Sequence, residues 1–278
     1  MSEADSNYAW LAAEPFTLVL SAGFFGFYAH AGVIAALERA GLRPRRIVGT
    51  SAGAITGGMW AAGVELGSII ELLGALRRED FWDPSWLGWG ARDSDPGTRL
   101  GILRGRKFDA LLGKALAQTE RNVQQIEDCP LALAIVTHEL RRRTTAVLDR
   151  GPLRPAIRAS AALPIMFGPV RIHGRLHADG GISDRPGFSA LAPDERTLYH
   201  HLPHQSPWPR PSGHDGDERR ETPRRRVLAF DDLPRVHPGA LDRGPVALAQ
   251  ARDHTLRWLA SRRTSRADRC RRAGRRCP

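Results

Sequence analysis

Gly49-Thr50-Ser51-Ala52-Gly53 is a G-x-S-x-G segment, and its residue types and spacing could do nucleophilic chemistry. A serine on a sharp turn is forced into unfavourable dihedrals. Its flanking glycines let neighbouring backbone pass close by. If a helix starts there, the hydroxyl stands where partial positive charge favours an alkoxide or oxyanion. Such a serine needs a base and an oxyanion hole. The run Ser21-Ala22-Gly23-Phe24-Phe25-Gly26 offers backbone N–H groups at Gly23, Phe24, Phe25 and Gly26 for the second. Two readings of the base stand. A downstream histidine (His200, His201, His204 or His237) could complete a Ser-His-Asp triad. Alternatively, Asp179 of Asp179-Gly180-Gly181 could act directly, because two glycines beside an acid allow another loop to approach.

The elements that must hold these groups are legible around them. Phe16–Leu20 reads as a buried strand, Ser21–Gly26 as a turn, and Tyr28–Ala40 as a helix closed by Gly41. Arg45–Val48 reads as a second strand, Gly49–Gly53 as a turn and Ala54–Ala62 as a helix. Strand, turn and helix twice over predict an α/β fold with a parallel sheet. Further on, Glu65–Arg78, Phe108–Leu116, Pro152–Ala162 and Val246–Leu259 have helical patterns. Leu131–Thr137 and Thr144–Leu148 read as strands, and Asp93–Gly105 as a loop. Val170–Ile172 and Arg175–Ala178 flank His173-Gly174 as a hairpin. The residues from 65 to 116 are the least regular and are the expected place for a cap over the site. There Trp82, Trp86 and Trp89 suit either cap packing or a lipid interface.

Composition narrows the function classes. Of 278 residues, 42% are hydrophobic and 26% charged, enough to bury a core and too apolar for a disordered chain. Three cysteines exclude a disulfide framework. The net charge of +11 is concentrated late: residues 196–278 hold 19 basic against 9 acidic side chains. Arg-rich residues 261–278 read as a disordered tail suited to an anionic membrane surface. No nucleic-acid-binding motif accompanies that charge. The spacing of His200, His201 and His204 lacks the pattern of a zinc helix and reads as a partly exposed strand or loop rather than a metal site; no cofactor is expected. Met1–Trp10 lacks the basic start of a secretory signal. The uncharged run Pro15–Leu37 is interrupted by glycines and reads as strand, turn and packed helix rather than as a membrane span. The expected location is cytoplasmic, with peripheral membrane contact.

Four segments, in order, resemble the patatin-like phospholipases: Leu20–Val33 (LSAGFFGFYAHAGV), Gly49–Gly53 (GTSAG), Ile157–Phe167 (IRASAALPIMF) and Arg175–Gly181 (RLHADGG). The similarity covers roughly residues 16–190. It implies a three-layer α/β/α fold with a mainly parallel central sheet. It also implies a Ser-Asp dyad in which Ser51 is the nucleophile and Asp179 the proton acceptor, with Gly23–Gly26 as oxyanion hole. The third segment is distinctive of the family without being catalytic in it. The chain departs from the family in its glycine loop: where the family has three consecutive glycines and then a basic residue before the last glycine, this chain has Ser21-Ala22-Gly23 and then Phe24-Phe25.

The implied organisation is an N-terminal extension over 1–15, a catalytic domain over 16–190, a C-terminal part or extension over 191–260 and the tail. The implied activity is a hydrolase of carboxylic esters, of the phospholipase A or lipid acyl hydrolase type. Two alternatives remain open at this level: a Ser-His-Asp esterase for small esters, and a catalytically impaired lipid-binding protein of the same fold.

Overall fold

The computed structural model describes residues 6–84, 101–119, 121–202 and 217–261. Trp86, Trp89, residues 93–100 of the expected loop, residues 203–216 with His204, and the basic tail beyond Ser261 lie outside the described residues.

The chain opens with α1 (Asn7–Ala12), whose Trp10 and Leu11 are buried. β1 (Thr17–Leu20) passes through the glycine turn into α2 (Phe27–Arg39), and β2 (Arg46–Thr50) passes through Ser51 into α3 (Ala52–Ala61). α4 (Leu66–Ala75), β3 (Gly101–Leu103) and α5 (Arg106–Leu116) follow. Then come β4 (Ala132–Glu139), β5 (Thr144–Leu148), α6 (Leu153–Ser160) and β6 (Ile165–Phe167). The hairpin β7 (Val170–Ile172) and β8 (Arg175–Asp179) leads to β9 (Thr197–His201), β10 (Arg225–Ala229) and α7 (Gly244–Ala260).

The main sheet runs β10-β9-β1-β2-β4-β8-β7, with β5 also paired to β4. From β10 to β4 every neighbour is parallel, while β5, β7 and β8 are antiparallel additions. Leu18–Leu20 of β1 and Leu133–Val136 of β4, in the middle of the sheet, read as unbroken apolar runs because both faces are covered. Leu18, Leu20, Ile47, Leu133 and Ile135 face the core shared with the helices. Val19, Val48, Ala134, Val136 and Tyr199 face the other way, under Phe188, Ala190 and Leu191. This is the α/β architecture, a mixed sheet with flanking helices.

Several expectations shift in detail. The turn expected over Gly49–Gly53 contracts to Ser51 alone, since β2 runs to Thr50 and α3 starts at Ala52. The loop expected over Asp93–Gly105 contains β3, which pairs in parallel with β6 as a separate two-stranded ribbon. The histidines expected in a partly exposed strand or loop are instead buried: His200 and His201 lie in β9, paired on both sides. The expected hairpin is present. His173 and Gly174 take φ values of 46° and 77°, the left-handed pair that a tight type I′ turn requires. Among the described residues no helix is long and apolar enough to cross a membrane.

Candidate active site

The ends of parallel strands converge on one place, because every βα connection there leaves from the same edge of the sheet. Ser51 bridges β2 and α3 with φ 53° and ψ −114°. A non-glycine residue there costs on the order of 1–3 kcal/mol, so the surrounding structure must impose it. Part of that imposition is steric. A Cβ on Gly53 would stand 2.1 Å from the Leu20 carbonyl oxygen, so only glycine lets α3 start this close to β1.

At the far end of β8, Asp179 is buried. Ser51 Oγ donates to Asp179 Oδ2 at 2.6 Å, and the Gly181 amide donates to Asp179 Oδ1 at 2.8 Å. Gly180 permits the approach: its Cβ would meet the Val136 carbonyl oxygen at 2.2 Å. Burial pushes the Asp179 carboxyl up to about 6, against the pull of the hydrogen bonds from Ser51 and Gly181. Among the described residues no histidine bonds Ser51 or Asp179. His237 is exposed, and His200 Nδ1 lies 2.8 Å from His30 Nδ1.

One residue here carries a role that sequence reasoning missed. The buried hydroxyl of Ser160, at the end of α6, accepts from the Ser51 amide at 2.8 Å and donates to the Val136 carbonyl at 2.6 Å. It therefore ties the serine elbow to β4, and Val136 is the residue whose carbonyl faces Gly180. Its only sequence signal was its place in the distinctive Ile157–Phe167 segment.

The glycine turn lies against the same site. The amides of Gly23, Phe24 and Phe25 donate to nothing among the described residues, whereas Gly26 donates to the Gly23 carbonyl at 2.9 Å and closes the turn. Phe25 sits at φ 53°. The turn rests on Leu202, whose Cδ1 lies 2.5 Å from where a Gly23 Cβ would be and 2.0 Å from that of Gly26. Behind it, the Ser21 hydroxyl accepts from the Leu202 amide at 3.0 Å, and His30 Nε2 donates to the Ser21 carbonyl at 2.9 Å. Burial disfavours the charged form of both imidazoles and holds His30 down to about 4, so with Nε2 donating, the neutral His30 ring offers Nδ1 as acceptor to His200. Arg185 is the cation beside this turn. Its carbonyl accepts the Ala22 amide at 2.9 Å, and its guanidinium reaches the Leu202 carbonyl and pairs with Glu218 at 3.0 Å.

These groups open onto a cavity of about 1000 Å³. Ser51 and Asp179 line it together with Phe24, Phe25, Met59 and Leu112. The chemistry such a place suits is acyl transfer from an apolar ester: a hydroxyl on a strained elbow, a buried carboxylate within hydrogen-bonding distance, and free backbone donors nearby. Among the described residues no group of three or more histidine, cysteine, aspartate or glutamate side chains is arranged to hold a metal ion.

A model of the patatin-like phospholipase family matches residues 18–192. An uncharacterized NTE family protein of Mycobacterium tuberculosis (strain ATCC 25618 / H37Rv) is 34% identical over 176 residues, which is 63% of this chain and 45% of the relative. A second from the same strain is 30% identical over 185 residues, 66% of this chain and 29% of the relative. The chain thus spans less than half the length of the curated relatives it matches. Among solved structures, VipD from Legionella pneumophila is similar with a TM-score of 0.58 at 15% identity, covering 90% of this chain and 67% of that one. That likeness is one of fold.

Proposed function

The chain belongs to the patatin-like phospholipase family, and from that premise we propose that it is a serine lipid acyl hydrolase, cleaving carboxylic esters of phospholipids or related lipids. The observation that carries the reading is the 2.6 Å hydrogen bond from Ser51 Oγ to Asp179 at the wall of a cavity large enough for an acyl chain. Ser51 Oγ attacks the ester carbonyl while its proton passes to Asp179. The amides of Gly23, Phe24 and Phe25 receive the developing oxyanion. Collapse of the tetrahedral intermediate breaks the ester C–O bond, and the leaving alcohol takes the proton from Asp179. Water then gives a proton to Asp179, attacks the acyl-enzyme and releases the fatty acid, with the proton returned to Ser51 Oγ.

A carboxylate is a weak base for a serine hydroxyl. Burial narrows that gap by raising Asp179 toward neutral pH, and oxyanion stabilisation supplies the larger share of the rate. These steps need only the chain's own groups and water. The surplus of basic side chains after residue 195 fits peripheral contact with an anionic membrane.

Fatty acid release from defined phospholipid vesicles tests the reading. Wild-type protein releases fatty acid and Ser51→Ala does not; equal release by the two, or release by neither, contradicts it.

A further inference from the structure

We propose that α3 is a ruler for the acyl chain, with Met59 as the stop that sets the preferred length; the inference rests on the acyl hydrolase reading above. Ser51, Ile55 and Met59 all line the cavity and recur every fourth residue, so they form one stripe along α3. The stripe starts at the nucleophile and runs away from it. Met59 is eight residues along, about 12 Å at the helical rise, which is the reach of roughly ten chain carbons.

The walls beside this stripe are apolar and come from neighbouring helices. Leu73 of α4 and Leu112 of α5 line the same cavity, and both are buried. Met59 itself is 1% exposed and belongs to the main hydrophobic core, so at this end the cavity meets packed protein rather than solvent. Each methylene placed between Ser51 and Met59 leaves water for apolar surroundings, and the next one meets the thioether. The substrate class assigned is therefore an ester of a medium-length acyl chain. Methionine is an adjustable stop, because its unbranched side chain fills an irregular end without a fixed shape.

The test is the chain-length profile of kcat/KM on p-nitrophenyl esters from butanoate to hexadecanoate, for wild type, Met59→Ala and Met59→Phe. Wild type gains about fourfold per added methylene until roughly ten carbons and then levels or falls. Met59→Ala removes the side chain beyond Cβ, moves the break outward by three or four carbons, and raises the tetradecanoate-to-decanoate ratio at least tenfold. Met59→Phe holds the break in place or draws it inward, and lowers that ratio. A break that stays at the wild-type length in Met59→Ala, with the enzyme folded and active, overturns the ruler.

The parent reading stands or falls on the vesicle assay; if wild type hydrolyses none of these p-nitrophenyl esters, the ruler is tested by binding. Saturated fatty acids of increasing length are added to Ser51→Ala protein, with and without Met59→Ala, and the thermal shift is followed. The ruler requires the gain per carbon to stop later when Met59 is truncated; superimposable profiles overturn it.

Discussion

At the scale of the residue, Asp179 is asked to be charged in a place that penalises charge. Its folded value near 6 lies above the ordinary 3.8, so between those values the native state holds a proton that the unfolded chain has lost. The contribution of this group therefore favours folding below about pH 4 and is lost as the pH rises through 6. The loss is on the order of 2–3 kcal/mol. Asp179→Asn carries no charge to desolvate. It is expected to melt several degrees higher than wild type at pH 8, with the difference vanishing near pH 4; thermal melts across that range check it. A variant less stable than wild type at pH 8 would mean that the carboxylate is better solvated than its burial implies.

At the scale of the element, the elbow depends on α6 as much as on β2 and α3. Ser160→Ala leaves the Ser51 amide and the Val136 carbonyl without the Ser160 hydroxyl as partner, a destabilisation of about 1–3 kcal/mol. It also frees Ser51 to swing away from Asp179. The expected result is a ten- to hundredfold lower kcat on a soluble ester, little change in KM, and an acid limb displaced upward as the hydrogen bond that lowers the Asp179 value weakens. A purely structural role would lower the melting temperature and leave kcat of the folded protein and its pH profile intact.

Much of this frame was legible in the sequence, because the strand, turn and helix around Ser51 lie within a few residues of each other and each announces itself by apolar period or glycine. Ser160 was not, because its partner is 109 positions away and α6 reads as an ordinary amphipathic helix. The burial of His200 was hidden for the same reason. A run of histidines beside a proline looks polar, and only the tertiary structure brings His30 from 170 positions away to share its proton. β3 and β6 are three residues each, too short for any period to show.

At the scale of the whole molecule, the family match ends at residue 192 while the sheet does not. The whole of β1 pairs with β9, from Thr17 opposite Thr197 to Leu20 opposite His200. β9 also carries the chain to Leu202, on which the glycine turn rests, and α7 packs along α2, with Gly32 tight against the Leu248 carbonyl. We infer that residues 191–260 are part of the catalytic unit rather than an appendage. A fragment ending at residue 192 is expected to lack a cooperative thermal transition and to aggregate, whereas one ending at 261 melts as the full chain does. A stable, active fragment ending at 192 would contradict that inference.

The central claim is that Ser51 passes its proton to Asp179, and the rate at which a fluorophosphonate labels Ser51 as a function of pH tests it most directly. Wild-type labelling is predicted to rise tenfold per pH unit and to level above about pH 6, where the Asp179 carboxyl has ionised. In Asp179→Asn it should be slower by on the order of a thousandfold and show no such step. Labelling of Asp179→Asn at the wild-type rate, or no labelling of Ser51 in folded wild-type protein, would contradict the account.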